Sequence, residues 1–304
     1  MPQIIKWGYD MDSIFNKIGR NLYRGMAFPA ILLFSFFFIL PLGQGIGISL
    51  TDWDGFGEPK YIGVSNFITF FSDSRAIGAL LHTLHYGLVT PVILNIAGLV
   101  CALLLDKPLF GKNAARVLVY LPGVISSLAI GYIWRIVLMR DGGALHDIMT
   151  FMGLGEYFKV WLSMPDQAMW MIIAVNVWQH TGGAMIIYLA GMQTIPVELF
   201  EVSRIDGANY WQSLKNITMP LLIPAIKINI ILNLIGSLAV HDSVVALTDG
   251  GPGYHTETLA VYIYNMAFGT KTGYATAVAL IMFVIIAIPT MATYRYLSSK
   301  NVEM

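Results

Sequence analysis

The sequence predicts an all-α integral membrane protein built from six transmembrane helices, and two observations carry that prediction. Of 304 residues, 56% are hydrophobic and 12% are charged, whereas a typical soluble domain carries about 25% charged residues. The apolar residues also gather into long runs. Crossing a hydrocarbon core of about 30 Å takes about 20 apolar residues as a helix, and the stretches Met26 to Leu50, Leu81 to Leu105, Val117 to Met139, Ala168 to Met192, Leu221 to Leu247 and Tyr274 to Leu297 reach that length.

The first run is longer than the apolar part of a signal peptide and no small-residue cleavage site follows it, so it is expected to remain as a span. Residues 1–25 then form an N-terminal segment, 26–297 the six-helix bundle and 298–304 a short tail. Basic residues are retained on the cytoplasmic side. With the N-terminus inside, Lys6, Lys17, Arg20, Arg24, Lys107, Lys112, Arg116, Arg204, Lys215, Arg295 and Lys300 fall there, against Lys60, Arg75, Arg140, Lys159 and Lys271 outside. Both termini are therefore expected in the cytoplasm. Arg135 and Lys227 lie inside spans but near their ends, within reach of the interface. The net charge of +0 gives no nucleic-acid footprint, and the single cysteine, Cys101, allows no internal disulfide.

Between the fourth and fifth runs lies EVSRIDGANYWQSLKNITMP, residues 201–220. Thr194 and Pro196 suit the start of a short helix and Gly207 its left-handed end. Asn209 with Gln212 predicts a capping box for a second helix. Leu199, Val202 and Ile205 share one face, while Glu198, Glu201 and Arg204 lie on another, so the helix is amphipathic with its charged side exposed. Pro220 and Pro224 close the unit and open the fifth run. Such a helix either rests on lipid headgroups or docks on another protein.

The spacing of Glu201, Gly207, Ile217 and Pro220, with Asp206-Gly207-Ala208 at the centre, resembles the EAA loop of the permease subunits of binding-protein-dependent ABC importers. Val202 and Ser203 stand where that motif has two alanines, and Met219 where it has a leucine. SLTDWDGFG at 49–57, GVSNF at 63–67 with the later ALLHTL, and LTDGGPGYHTETLAVYIY at 247–264 are similar to pieces of the carbohydrate-importing members, in the same order; His82 replaces a more usual Asn. The resemblance, over roughly Phe28 to Leu297, implies a type I ABC importer permease fold of the maltose/oligosaccharide type with a cytoplasmic coupling helix. The loop 193–220 would dock on an ATPase subunit through Glu201, Arg204, Asp206, Gly207 and Ala208, Glu201 as the charged contact and Gly207 as the bend. It further implies a bacterial cell membrane, a second permease, two ATPases that bind ATP and Mg, and an external sugar-binding protein.

The chain has no G-x-x-x-x-G-K-[ST] with which to cradle phosphates, so no ATP cofactor and no bond chemistry is expected on it. The GGPG at 250–253 reads as a tight turn. His82 and His85 lack the further ligands of a closed metal site. Polar side chains within the runs are more telling, because they face the bundle or a wet cavity. Asn229, Asn233, Ser237 and His241 recur every fourth residue; Asn176 and His180 do the same, with Gln179 and Gly183 beside them, and Ser126 and Ser127 sit midway along the third run. Each group either hydrogen-bonds helix to helix or meets substrate, with Trp178 and Tyr132 placed to offer an aromatic face. By the resemblance, Ser127, Asn176, Gln179, His180, Ser237 and His241 are the candidate sugar contacts. The rival reading is a proton-coupled secondary sugar transporter with His180, His241 and Asp242 as a relay; its usual internal repeats and midplane helix breaks are not expected from these runs.

Overall fold

The computed structural model describes Gly25, residues 27–108 and residues 110–299. The expected N-terminal segment 1–25, apart from Gly25, lies outside the described residues, as does the tail beyond Ser299. Among the described residues there is no β-strand, only an isolated bridge between Thr51 and Tyr61.

Helix α1 (Ala27–Ser49) passes through a π-helical stretch at Ser35–Ile39. Its apolar residues are exposed, and its second half packs on the last helix, where Gly45 comes close to Thr276. The connecting loop is fastened by Asn66 on α2 (Ser65–Ser72), whose Nδ2 donates to Ser49 O at 2.9 Å and Thr51 O at 2.8 Å. Asp73 caps α3 (Ser74–Leu105) by accepting from the N–H groups of Arg75 and Ala76, which satisfies two of the donors a helix start leaves free.

The third apolar run is not one helix. It divides into α4 (Lys112–Val124) and α5 (Ser127–Val137), bent by 97°. Pro122 and Gly123 weaken the last turn of α4, and Ile125 and Ser126 are extended, with ψ of 143° and 136°. Ser126 and Ser127 therefore mark a break rather than the middle of a span, and the expectation of unbroken helices is overturned here. Helix α6 (Ala144–Phe151) and two 3-10 turns lead to α7 (Pro165–Gln193), a helix of 29 residues.

Next come α8 (Val197–Ile205), α9 (Tyr210–Leu221) and α10 (Ile223–Leu238), the last two meeting at a 65° bend. The fifth run also stops early. Helix α10 ends at Leu238, and His241, at φ −132° and ψ −61°, precedes a separate α11 (Asp242–Leu247). No proline marks that stop in the sequence, only Gly236 and Ser237 in the last turn. The chain closes with α12 (Leu259–Phe268) and α13 (Thr272–Ser298). Among the described residues, four helices (α1, α3, α7 and α13) are long and apolar enough to cross a membrane; counted as one crossing each, the two bent pairs bring the number to six.

Helices α3 and α7 form the central pair, with α10 against both. They approach closely because the contact residues are small: a Cβ on Gly98 of α3 would lie 2.6 Å from the Ala184 Cβ of α7, the kind of contact that van der Waals packing between membrane helices favours. Polar groups tie the same three helices. Tyr188 donates its hydroxyl to Asn95 Oδ1 at 2.7 Å, and the buried Asn229 donates to Ala184 O at 3.1 Å. The GGPG segment is a turn, as expected, with Gly250 and Gly253 at φ +81° and +57° and Thr256 Oγ1 donating to Gly251 O at 2.6 Å.

Candidate functional site

Two features stand apart from ordinary packing: the exposed helix α8, and a polar cavity between α7 and α10. Helix α8 is joined to the C-terminal end of α7 by Thr194, Ile195 and Pro196. Its C-terminal bend is made by Gly207 at φ +76°, a backbone conformation that suits glycine. Beyond the bend, Asn209 and Gln212 make the expected reciprocal capping box, with Asn209 N–H donating to Gln212 Oε1 at 2.7 Å and Gln212 N–H to Asn209 Oδ1 at 3.0 Å.

The faces of α8 are not disposed as the sequence reading expected. Ser203 is the buried residue, bonded to Ser213 across 3.2 Å. Leu199, Val202 and Ile205 are 40%, 54% and 85% exposed, and Glu201, Arg204, Asp206 and Gly207 are exposed as well. Charged and apolar faces alike thus point away from the bundle. Among the described residues, Glu201, Arg204 and Asp206 have no ion pair. Ala208 is half-buried and, with Arg204, Phe200, Tyr210 and Lys107, lines a cavity of 480 Å³ beneath the helix. Lys107 Nζ sits 4.9 Å from the Tyr210 ring centre there.

The polar cavity measures 310 Å³ and is lined by Asn176, His180 and Gly183 of α7, Asn229, Asn233 and Ser237 of α10, and Leu94 of α3 among others. Asn176 Nδ2 makes a long 3.5 Å contact with Ser243 Oγ. Asn233 Nδ2 is buried with no hydrogen-bond partner, and among the described residues His180 has none either. The cavity therefore holds amide, imidazole and hydroxyl groups that folding leaves partly unsatisfied, which suits a ligand with several hydroxyls.

Of the six candidate sugar contacts, the structure brings Asn176, His180 and Ser237 to this cavity. Gln179 points elsewhere: it is 1% exposed and donates to Ile125 O at 2.9 Å. Ser127 starts α5 and His241 lies beyond the end of α10, and neither is in the lining. His241 Nδ1 lies 3.0 Å from Asp242 Oδ1 while its ring meets Tyr264. Trp178 belongs to a second cavity of 320 Å³ lined by Trp134, Trp161 and aliphatic side chains, and Tyr132 is half exposed outside the polar lining. His82 and His85 are separately engaged, one 3.2 Å from Glu257 O and the other edge-on to Trp170.

The chain as a whole is similar to known proteins. Residues 94–302 fit the family model of the binding-protein-dependent transport system inner membrane component. The chain is 33% identical to the probable starch degradation products transport system permease protein AmyD of Thermoanaerobacterium thermosulfurigenes, over 91% of this chain and 94% of that one. It is 32% identical to the multiple sugar-binding transport system permease protein MsmF of Streptococcus mutans, over 88% and 93%. A bacterial alginate ABC transporter, crystallised in complex with an alginate pentasaccharide-bound periplasmic protein, superposes with a TM-score of 0.80 over 92% of this chain and 95% of that chain at 24% identity. The protein belongs to the binding-protein-dependent transport system inner membrane component family. It is a membrane permease component rather than an enzyme, and its bundle is the type I permease fold.

Proposed function

We propose that this chain is one of two permease subunits of an ATP-driven sugar importer, passing sugar between them while α8 docks on an ATPase. The observation that carries the reading is the exposed apolar face of α8: Leu199, Val202 and Ile205 face outward beside Glu201 and Arg204, and a helix with apolar and charged surface both unpartnered fits a protein cleft better than bulk water. The sugar relatives and the hydroxyl-suited cavity support a carbohydrate as cargo. Asn176, His180 and Ser237 serve as contacts inside the cavity, and Glu201, Arg204, Asp206, Gly207 and Ala208 form the docking unit.

ATP and Mg belong to two separate ATPase subunits, and a sugar-binding protein delivers cargo on the outer side. Both termini lie in the cytoplasm of a bacterial cell membrane. Nucleotide binding closes the ATPase pair, α8 and its counterpart on the second permease move together, and the cavity opens outward. Hydrolysis resets it.

Proteoliposomes carrying the complex purified through this chain, with its binding protein outside, test the reading with radiolabelled maltotriose and alginate tetrasaccharide. The expected result is uptake of one of them that needs internal ATP and survives a protonophore. Uptake abolished by the protonophore while ATP persists favours instead a proton-coupled carrier using His180, His241 and Asp242.

A further inference from the structure

We propose that Gln179 is a positioning residue that ties the C-terminal end of α4, at the break ahead of α5, to α7, so that displacement of α8 is passed to the break between α4 and α5. The inference rests on the transport reading above. The break leaves backbone unpaired where a helix would have paired it. The Ile125 N–H still reaches Pro122 O at 3.3 Å, and Ser126 O accepts from Ile130 N–H at 3.0 Å at the start of α5. The Ile125 carbonyl between them is left over, and an unpaired carbonyl at membrane depth is costly. Gln179 Nε2 donates to it at 2.9 Å from a side chain with 1% exposure.

The position of Gln179 on α7 gives that bond its consequence. It lies between Asn176 and His180, so the turn of α7 that lines the polar cavity also holds the break. Tight packing joins the same two elements: a Cβ on Gly182 would run into the Tyr120 backbone of α4, and one on Gly123 would lie 3.2 Å from Gln179 O. From Gln179 to the end of α7 at Gln193 is about 21 Å of continuous helix, and α8 follows after three residues. On the other side, α5 packs on α11, where a Cβ on Gly131 would run into Ala246. A rigid helix with a docking element at its end and a side-chain tie along its length moves the break when it moves, which is a physical link between two elements rather than mere adjacency. A Gln179 that only satisfied a carbonyl would leave the break indifferent to nucleotide.

The test uses the complex purified through this chain in a Cys101→Ser background, with a reporter cysteine at Ser126 (S126C) labelled by a water-soluble maleimide. Labelling is followed with and without ATP plus vanadate. With Gln179 present, nucleotide changes the labelling rate. With Gln179→Leu, the nucleotide-free rate rises about fivefold, the factor for one lost hydrogen bond, and nucleotide no longer alters it. Gln179→Met, which keeps the unbranched side-chain length and carries no donor, behaves in the same way and covers the case in which the leucine variant does not assemble. The tie is overturned if the variants label as the parent does, if they label faster yet respond to nucleotide as the parent does, or if the parent itself is insensitive to nucleotide. Absence of any co-purifying ATPase counts against the transport reading instead, while the nucleotide-free rates still decide whether Gln179 holds the break.

Discussion

Arg75 at the start of α3 and Glu257 ahead of α12 form a two-pronged ion pair across the bundle, with Nε to Oε2 at 2.7 Å and Nη2 to Oε1 at 2.6 Å. The Glu257 side chain is 1% exposed and also accepts from Asn265 Nδ2 at 3.1 Å, while the Arg75 guanidinium lies 3.9 Å from the Tyr254 ring centre. Removing the arginine strands a buried carboxylate, which costs about 3–5 kcal/mol. Arg75→Ala is expected to lower the melting temperature in detergent sharply. Arg75→Met combined with Glu257→Leu is expected to recover most of the loss, because neither charge is then left without its partner.

A second prediction concerns acid. Burial raises the pKa of Asp73, but the Tyr262 hydroxyl at 2.5 Å and the N–H groups of Ala76 and Arg75 outweigh it and hold the carboxyl below its ordinary value. A carboxylate depressed in the fold contributes stability above its unfolded pKa of about 3.9 and loses it as pH falls through the folded value. Tyr262→Phe is expected to melt below the parent at pH 7, with the gap narrowing as pH falls below about 4. Melting curves across that range check it; a constant gap would show that the hydroxyl acts by some route other than Asp73.

The bend after α8 gives a third. Gly207 sits at φ +76° with open space around it, so a side chain there meets backbone strain rather than a clash. A β-branched residue in the left-handed region costs about 1–2 kcal/mol, enough to redirect an exposed loop and too little to unfold the bundle. Gly207→Val is expected to abolish uptake while yield in the membrane and melting temperature stay near those of the parent. Wild-type uptake by the variant would remove the bend from the docking role.

The polar cavity gives a fourth. Asn176→Ala together with Ser237→Ala removes one lining amide and one hydroxyl from facing helices. The pair is expected to raise the half-saturating concentration of maltotriose or alginate tetrasaccharide in stimulating ATPase activity by about thirtyfold, the effect of about 1 kcal/mol for each of the two lost hydrogen bonds to substrate. An unchanged response would place the sugar on the second permease.

Much of this was legible from residues alone, and the failures have physical causes. Long apolar runs declare spans because lipid imposes a length, and the Asn209–Gln212 box and the Gly207 bend declare themselves because capping and left-handed backbone restrict residue choice. Breaks are harder to read, since an apolar run stays apolar across one. Pro122-Gly123 was a signal for the α4/α5 break, whereas the stop at Leu238 follows Gly236-Ser237 without a proline and had no comparable mark. That stop is why spacing of four carried Asn229, Asn233 and Ser237 to one cavity and left His241 outside it. Gln179 shows the limit of periodicity: its place beside Asn176 and His180 predicted a shared face, but its partner, the Ile125 carbonyl, exists only because the neighbouring helix breaks. The outward turn of Leu199, Val202 and Ile205 was hidden for a related reason, because amphipathicity separates two faces without saying which one meets the bundle.

Ile205 is the most exposed of the three apolar side chains on α8, and a photo-crosslinking amino acid placed there in the native membrane tests the docking helix most directly. Irradiation is predicted to join this chain to one discrete soluble-domain protein that carries a nucleotide-binding Gly-rich loop. Adducts with lipid alone, at a position that still supports uptake, would contradict it.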